Sequence, residues 1–145
     1  MRFSDPLPGL LLLIAVCGCS DNQVPTWPVS GKVVLEDGTP LETGTVEFAS
    51  DDGIHTARGS IQSDGSFRLT TFRDGDGAVA GAHDAVVIQL ISTEDLPIHE
   101  HDHGPTIDPR FAHYDSADLR FTVKADEDNV FRVVVAEVDP DHADP

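Results

Sequence analysis

Ala57-Arg-Gly-Ser-Ile-Gln-Ser-Asp-Gly-Ser-Phe-Arg-Leu-Thr-Thr71 is the stretch that decides the fold class. Ala57, Gly59 and Ile61 alternate with Arg58, Ser60 and Gln62. Past Ser63-Asp64-Gly65, Phe67, Leu69 and Thr71 alternate with Ser66, Arg68 and Thr70. A period of two residues puts the two sets on opposite faces of a strand. Asp-Gly supplies the positive φ that a tight reversal demands. The stretch is therefore predicted to be a β-hairpin with one buried face.

The same pattern extends outward in both directions. Upstream, Val29, Gly31, Val33 and Leu35 alternate with Ser30, Lys32, Val34 and Glu36. Asp37-Gly38 follows, then Val46 and Phe48 on one face with Glu47 on the other. Downstream, Ala85 to Ile91 is almost continuously aliphatic, which predicts a central strand covered on both faces. Leu119, Phe121 and Val123 alternate with Arg120, Thr122 and Lys124. A turn at Asp126–Asn129 leads into Val130–Val138, where Phe131, Val133 and Val135 face inward. No helical periodicity of useful length occurs beyond Trp27. About seven strands at this spacing predict an all-β, two-sheet Ig-like sandwich, and 145 residues allow one ordinary domain.

The first eighteen residues obey a different rule. Leu10 to Val16 is an uninterrupted apolar run, shorter than the ~20 residues of a membrane span but suited to a secretory h-region. It ends in Val16-Cys17-Gly18-Cys19-Ser20, which resembles the lipobox of bacterial lipoprotein signal peptides. The resemblance implies thioether acylation of Cys19 and cleavage between Gly18 and Cys19, where the small glycine admits the peptidase. Residues 1–18 are thus expected to be a signal peptide, and 19–27 an acylated end and polar tether. Residues 28–138 would form the sandwich, and 139–145 an acidic tail. Three acyl chains exceed the two-signal requirement for stable anchoring, so the expected location is the bacterial cell envelope, on a membrane. Cys17 leaves with the leader, so the mature domain would carry no disulfide.

Composition narrows the partners. Twenty-six acidic residues face nine basic ones, for a net charge of −17; nineteen of the acids are Asp, and Lys occurs only at Lys32 and Lys124. Such a field repels phosphate backbones and excludes nucleic acid as a direct partner. It suits a surface that stays soluble at high external salt, where screening relieves self-repulsion. With Trp27 and Tyr114 the only Trp and Tyr, a carbohydrate site built on exposed aromatics ranks last.

Three segments, Pro28-Val-Ser-Gly-Lys-Val-Val-Leu, Asp37-Gly-Thr-Pro-Leu and Gly44-Thr-Val-Glu-Phe, open the domain. Together with Gly65-Ser-Phe-Arg-Leu-Thr-Thr-Phe and Gly75-Asp-Gly-Ala-Val-Ala-Gly, they resemble carboxypeptidase-regulatory-like domains, over Pro28 to about Glu137. The resemblance implies a transthyretin-like (prealbumin-like) seven-stranded sandwich of the kind carried by small bacterial lipoproteins. It implies no catalytic residues. The chain departs from the pattern at Gly81-Ala82-His83-Asp84, where the family usually has Gly-Glu/Asp-Tyr.

One local constellation carries chemistry of its own: His99-Glu100-His101-Asp102-His103. In an extended segment His99, His101 and His103 share a side, a sound arrangement for zinc, copper or nickel, with His113 or Asp108 as a fourth ligand. Surrounding Pro97, Gly104, Pro105 and Pro109 also mark it as a solvated loop. Five Asp-Gly pairs, at Asp37, Asp52, Asp64, Asp74 and Asp76, read as turn formers; Asp74–Gly77 lacks the ligands of an EF-hand. No serine lies in a Gly-x-Ser-x-Gly elbow, and the Tyr-Arg-Gly-Ser signature of transthyretin-like hydrolases is absent. The expected function is a non-enzymatic envelope module with a structural or interaction role, its partner an envelope protein or polysaccharide. The alternative is envelope metal binding through the His loop.

Overall fold

The computed structural model describes residues 23–89 and 105–138. The expected leader with Gly18 and Cys19, the His99–His103 segment, the end of the aliphatic run at Leu90–Ile91 and the residues from 139 lie outside the described residues.

The chain is all-β. Its strands are β1 (Thr26–Trp27), β2 (Val29–Leu35), β3 (Thr45–Ser50), β4 (Thr56–Ser60), β5 (Ser66–Arg68), β6 (Ala78–Val79), β7 (Gly81–Ile88), β8 (Leu119–Val123) and β9 (Asn129–Val135). One sheet has the order β5-β2-β9, a second β4-β3-β7-β8, and β1 pairs with β6 in a short ribbon. That ribbon starts the paired structure at Thr26.

The first long strand closes on the last. β2 and β9 run parallel in unbroken register from Val29↔Asn129 to Leu35↔Val135, while β3, β4, β7 and β8 pair antiparallel. Inward residues of both sheets form one apolar cluster, from Val33, Val133 and Val135 on one side to Val46, Phe48 and Val87 on the other. Phe48 lies at its centre. Its ring stacks on Phe121 of its own sheet at 5.0 Å and reaches Phe131 and Phe67 of the facing sheet at 5.9 and 6.4 Å.

The Ala57–Thr71 hairpin turns as its sequence predicts. The Gly65 N–H donates to the Gln62 carbonyl, the Gln62 N–H donates to that of Ser66, both at 2.8 Å, and Gly65 has φ +80°. Its two limbs nevertheless join different sheets, β4 to β3 and β5 to β2. Between them only the Arg58↔Thr70 bridge survives, so the hairpin is a corner between sheets. Gly59 makes the corner possible, because a Cβ there would collide with the Arg68 carbonyl.

β7 is covered on both faces, as its aliphatic run predicts: Ala85, Val86 and Val87 are all buried. It begins at Gly81, so Gly81-Ala82-His83-Asp84 is strand rather than turn. Two short helical turns that carry no usable periodicity, Pro109–Ala112 and Tyr114–Ala117, pack across β7 and bury Ile107, Phe111 and Ala117. Asp108 caps the first, accepting from the Arg110 N–H at 2.9 Å with Pro109 in the first turn.

Candidate functional site

Alternation fixes which residues of the three-stranded sheet face outward. On the central β2 these are Ser30 and Lys32, with Val34 on the same side but itself buried, since Val29, Val33 and Leu35 pack into the core. Register then sets their neighbours: Ser30 lies between Arg68 and Val130, Lys32 between Ser66 and Arg132, and Val34 beside Val134. Lys32, Arg68 and Arg132 are all exposed, as are Val130 (74%) and Val134 (42%). Two clefts flank them. One of about 640 Å³ is lined by Arg58, Arg68 and a set of hydroxyls including Ser30, Ser66 and Thr70. The other, about 710 Å³, is lined by Lys32, Arg132 and Val130 together with Phe67 and Phe131. Asp74 borders the first, and Asp128 a smaller cleft beside Arg68.

Four cations elsewhere among the described residues are held by acids. Arg58 pairs with Glu47, Arg120 with Asp51 at 2.6 Å and Asp84 at 2.8 Å, Lys124 with Glu127 at 3.2 Å, and Arg110 with Asp108 at 3.7 Å. On the outer face of the three-stranded sheet Lys32 reaches Asp64 at 3.5 Å in a well-exposed pair, while Arg68 and Arg132 have no ion-pair partner among the described residues. A strongly acidic chain thus presents one sheet face where guanidinium groups point at solvent. Sequence reading missed this face. Each cation was visible as an outward residue of its own strand, but only the pairing of β2 with β5 and β9 makes them neighbours.

The acids have mostly local work. All five Asp-Gly glycines have positive φ. Asp37, Asp52 and Asp64 each accept the N–H two residues on, from Thr39 (2.8 Å), Ile54 (3.0 Å) and Ser66 (2.9 Å). Hydrogen bonds hold these carboxyls below their ordinary range: the Thr39 N–H on Asp37, the Ser50 hydroxyl on Asp52 and the Ser66 hydroxyl on Asp64. Asp76 gathers the N–H groups of Thr71, Phe72 and Arg73 at 2.8 to 3.0 Å. Partial burial pushes its carboxyl up, but those amides outweigh it and the net shift is downward.

Two further groups contact the four-stranded sheet, His83 within β7 and Tyr114 from the second helical turn. His83 is 1% exposed, donates from Nδ1 to the Gly81 carbonyl at 3.0 Å and lies beside Phe48; burial lowers its pKa. Tyr114 donates to Glu47 at 2.6 Å, and burial followed by that carboxylate raises its pKa. His113 is exposed, preceding the second helical turn, while Asp108 is engaged as a cap and ion-pair partner. No group of three or more His, Cys, Asp or Glu converges among the described residues. No helix among them is long and apolar enough to cross a membrane. No family model, curated protein or solved structure matches the chain.

Proposed function

We propose that the chain is a non-enzymatic, lipid-anchored β-sandwich module of the bacterial cell envelope, with a structural or interaction role. Its strands in the two larger sheets would make up a seven-stranded prealbumin-like sandwich, as the carboxypeptidase-regulatory-like resemblance implies. The observation that carries the interaction role is the outer face of β5-β2-β9, where Arg68 and Arg132 stand without acidic partners among the described residues of a chain of charge −17. Surface charge left unpaired in one patch provides electrostatic complementarity for a partner. Anchoring rests on Leu10–Val16 followed by Gly18-Cys19-Ser20. Acylated Cys19 would hold the body to a membrane through the polar stretch before Thr26, leaving the sheet face to act as the contact surface.

Expression in a bacterial host with labelled palmitate tests the anchoring. Cys19→Ala should abolish the label and move the protein from the membrane to the soluble fraction. Unchanged membrane association would refute the anchor.

A further inference from the structure

We infer that the outer face of the three-stranded sheet is a binding groove for a carboxylated, uronate-type polysaccharide. This deepens the interaction-module reading and rests on it. Strand geometry spaces the cations for such a chain. Lys32 and Arg132 are direct neighbours across β2 and β9, about 5 Å apart at the backbone. Arg68 lies one row along, on the far side of β2 beside Ser30, a step of about 7 Å along the strand. Between the charges stand Ser30 and Ser66, neutral groups that both donate and accept. A guanidinium fork matches a carboxylate in two parallel hydrogen bonds. Sugar hydroxyls would meet serines in the intervals.

Shape and charge decide among occupants. The two clefts share Ser30, Ser66 and Phe67 and so adjoin one another on this face, which gives an extended polymer two neighbouring places to sit. A second copy docking by the same face would bring two sets of Lys32, Arg68 and Arg132 into one interface, which like-charge repulsion disfavours. A bilayer favours broad protruding apolar or aromatic surface, whereas here Val130 and Val134 are the exposed apolar side chains, Phe67 is buried, and the first cleft is lined by hydroxyls, guanidinium groups and Asp74. Nucleic acid carries a far denser line of charge, against which the −17 background counts most heavily. A polyuronate offers at most one charge per sugar. At physiological salt fields fade over about 8 Å, so it responds to the patch more than to the whole molecule. Ionic and hydroxyl contacts here take the place of the aromatic platforms the sequence lacks.

The test is binding of the full chain, in neutral detergent, to polygalacturonate, with dextran as the uncharged polymer and inorganic polyphosphate as the phosphate polyanion. Saturable binding to polygalacturonate alone is expected. Arg68→Gln combined with Arg132→Gln should weaken it at least about 100-fold, one charge-assisted contact of about tenfold for each. Arg110→Gln, the same change on the segment covering the other sheet, should leave binding as it was. All three side chains are exposed, and unchanged melting would show that the fold is retained. Equal loss in Arg110→Gln, equal binding to dextran, preference for polyphosphate or no polygalacturonate binding would each overturn the inference. Cys19→Ala separates the two readings. Release from the membrane without polygalacturonate binding sinks only this inference; retention on the membrane with binding intact sinks only the anchor.

Discussion

Replacing Phe48 with alanine should remove about 4 to 5 kcal/mol of stability, because its ring is the contact through which the two sheets meet. Phe48 is 0% exposed. An aromatic side chain in that state buries about 150 to 250 Å², or about 4 to 6 kcal/mol at 25 cal/mol per Å². Alanine keeps only a small part of that, and the surrounding rings cannot all close the gap. Phe121 is fixed on β8 and Phe131 and Phe67 on the facing sheet, so relaxation toward the hole would pull the sheets out of register. The stacked Phe121 pair adds about 1 kcal/mol beyond area. Against a typical total of 5 to 15 kcal/mol, the variant would lose from about a third to nearly all of its stability. Urea titration checks this, followed by far-UV circular dichroism and by Trp27, the single tryptophan, which packs against the core. The midpoint should fall while the slope stays constant. Phe72→Ala is the comparison, since Phe72 is 39% exposed and pairs edge-on with His55. A Phe48→Ala loss under about 2 kcal/mol, or one no greater than that of Phe72→Ala, would refute inter-sheet packing as the source of stability.

Stability should fall in two stages on acidification. His83 has its folded pKa lowered by burial, so the unfolded chain takes up its proton first and stability declines as pH drops below the ordinary value of 6.5. Asp37, Asp52, Asp64 and Asp76 are also lowered; their contribution is present above the unfolded value of 3.8 and is lost as pH falls through the folded values. A first-stage fall in urea midpoint that persists after His83→Leu would count against this assignment. Asp76→Ala should cost about 1 to 3 kcal/mol and speed hydrogen exchange at Thr71, Phe72 and Arg73, with the exposed Asp74→Ala near neutral; equal effects would dismiss the caging role. Melting temperature should climb from low to moderate salt as the −17 charge is screened, and a flat profile would tell against self-repulsion. For the His99–His103 segment, calorimetry with zinc should show sub-micromolar, one-to-one uptake lost in His101→Ala if the metal reading holds, and weak non-stoichiometric uptake if it does not.

Faces were more legible in the sequence than neighbours. Alternation assigns Val46 and Phe48 inward and Lys32 and Arg132 outward, because successive side chains in a strand must point oppositely, and burial follows those assignments. Partnership has no such local signature. Nothing in Ala57–Thr71 marks that its limbs join different sheets; the sterics of Gly59 against Arg68 become visible only in three dimensions. The two-residue β1 and β6 are too short to show a period. So are the four-residue helical turns over β7, although Asp108-Pro109 is a helix-start signal in retrospect. The cationic face is a product of partnership alone, assembled from single residues of β2, β5 and β9.

The parallel union of β2 and β9 has a consequence for the order of events during synthesis. β2 lies in the middle of its sheet, yet one of its two neighbours begins only at Asn129. Until that residue has been made, the strand has an open edge and the apolar cluster lacks Val133 and Val135. Closing the sheet therefore joins the beginning of the domain to its end, the slowest kind of contact for a chain to find. If residues 1–18 act as the proposed export leader, this arrangement would let the N-terminal part be threaded across a membrane while the strand that locks it is still unmade.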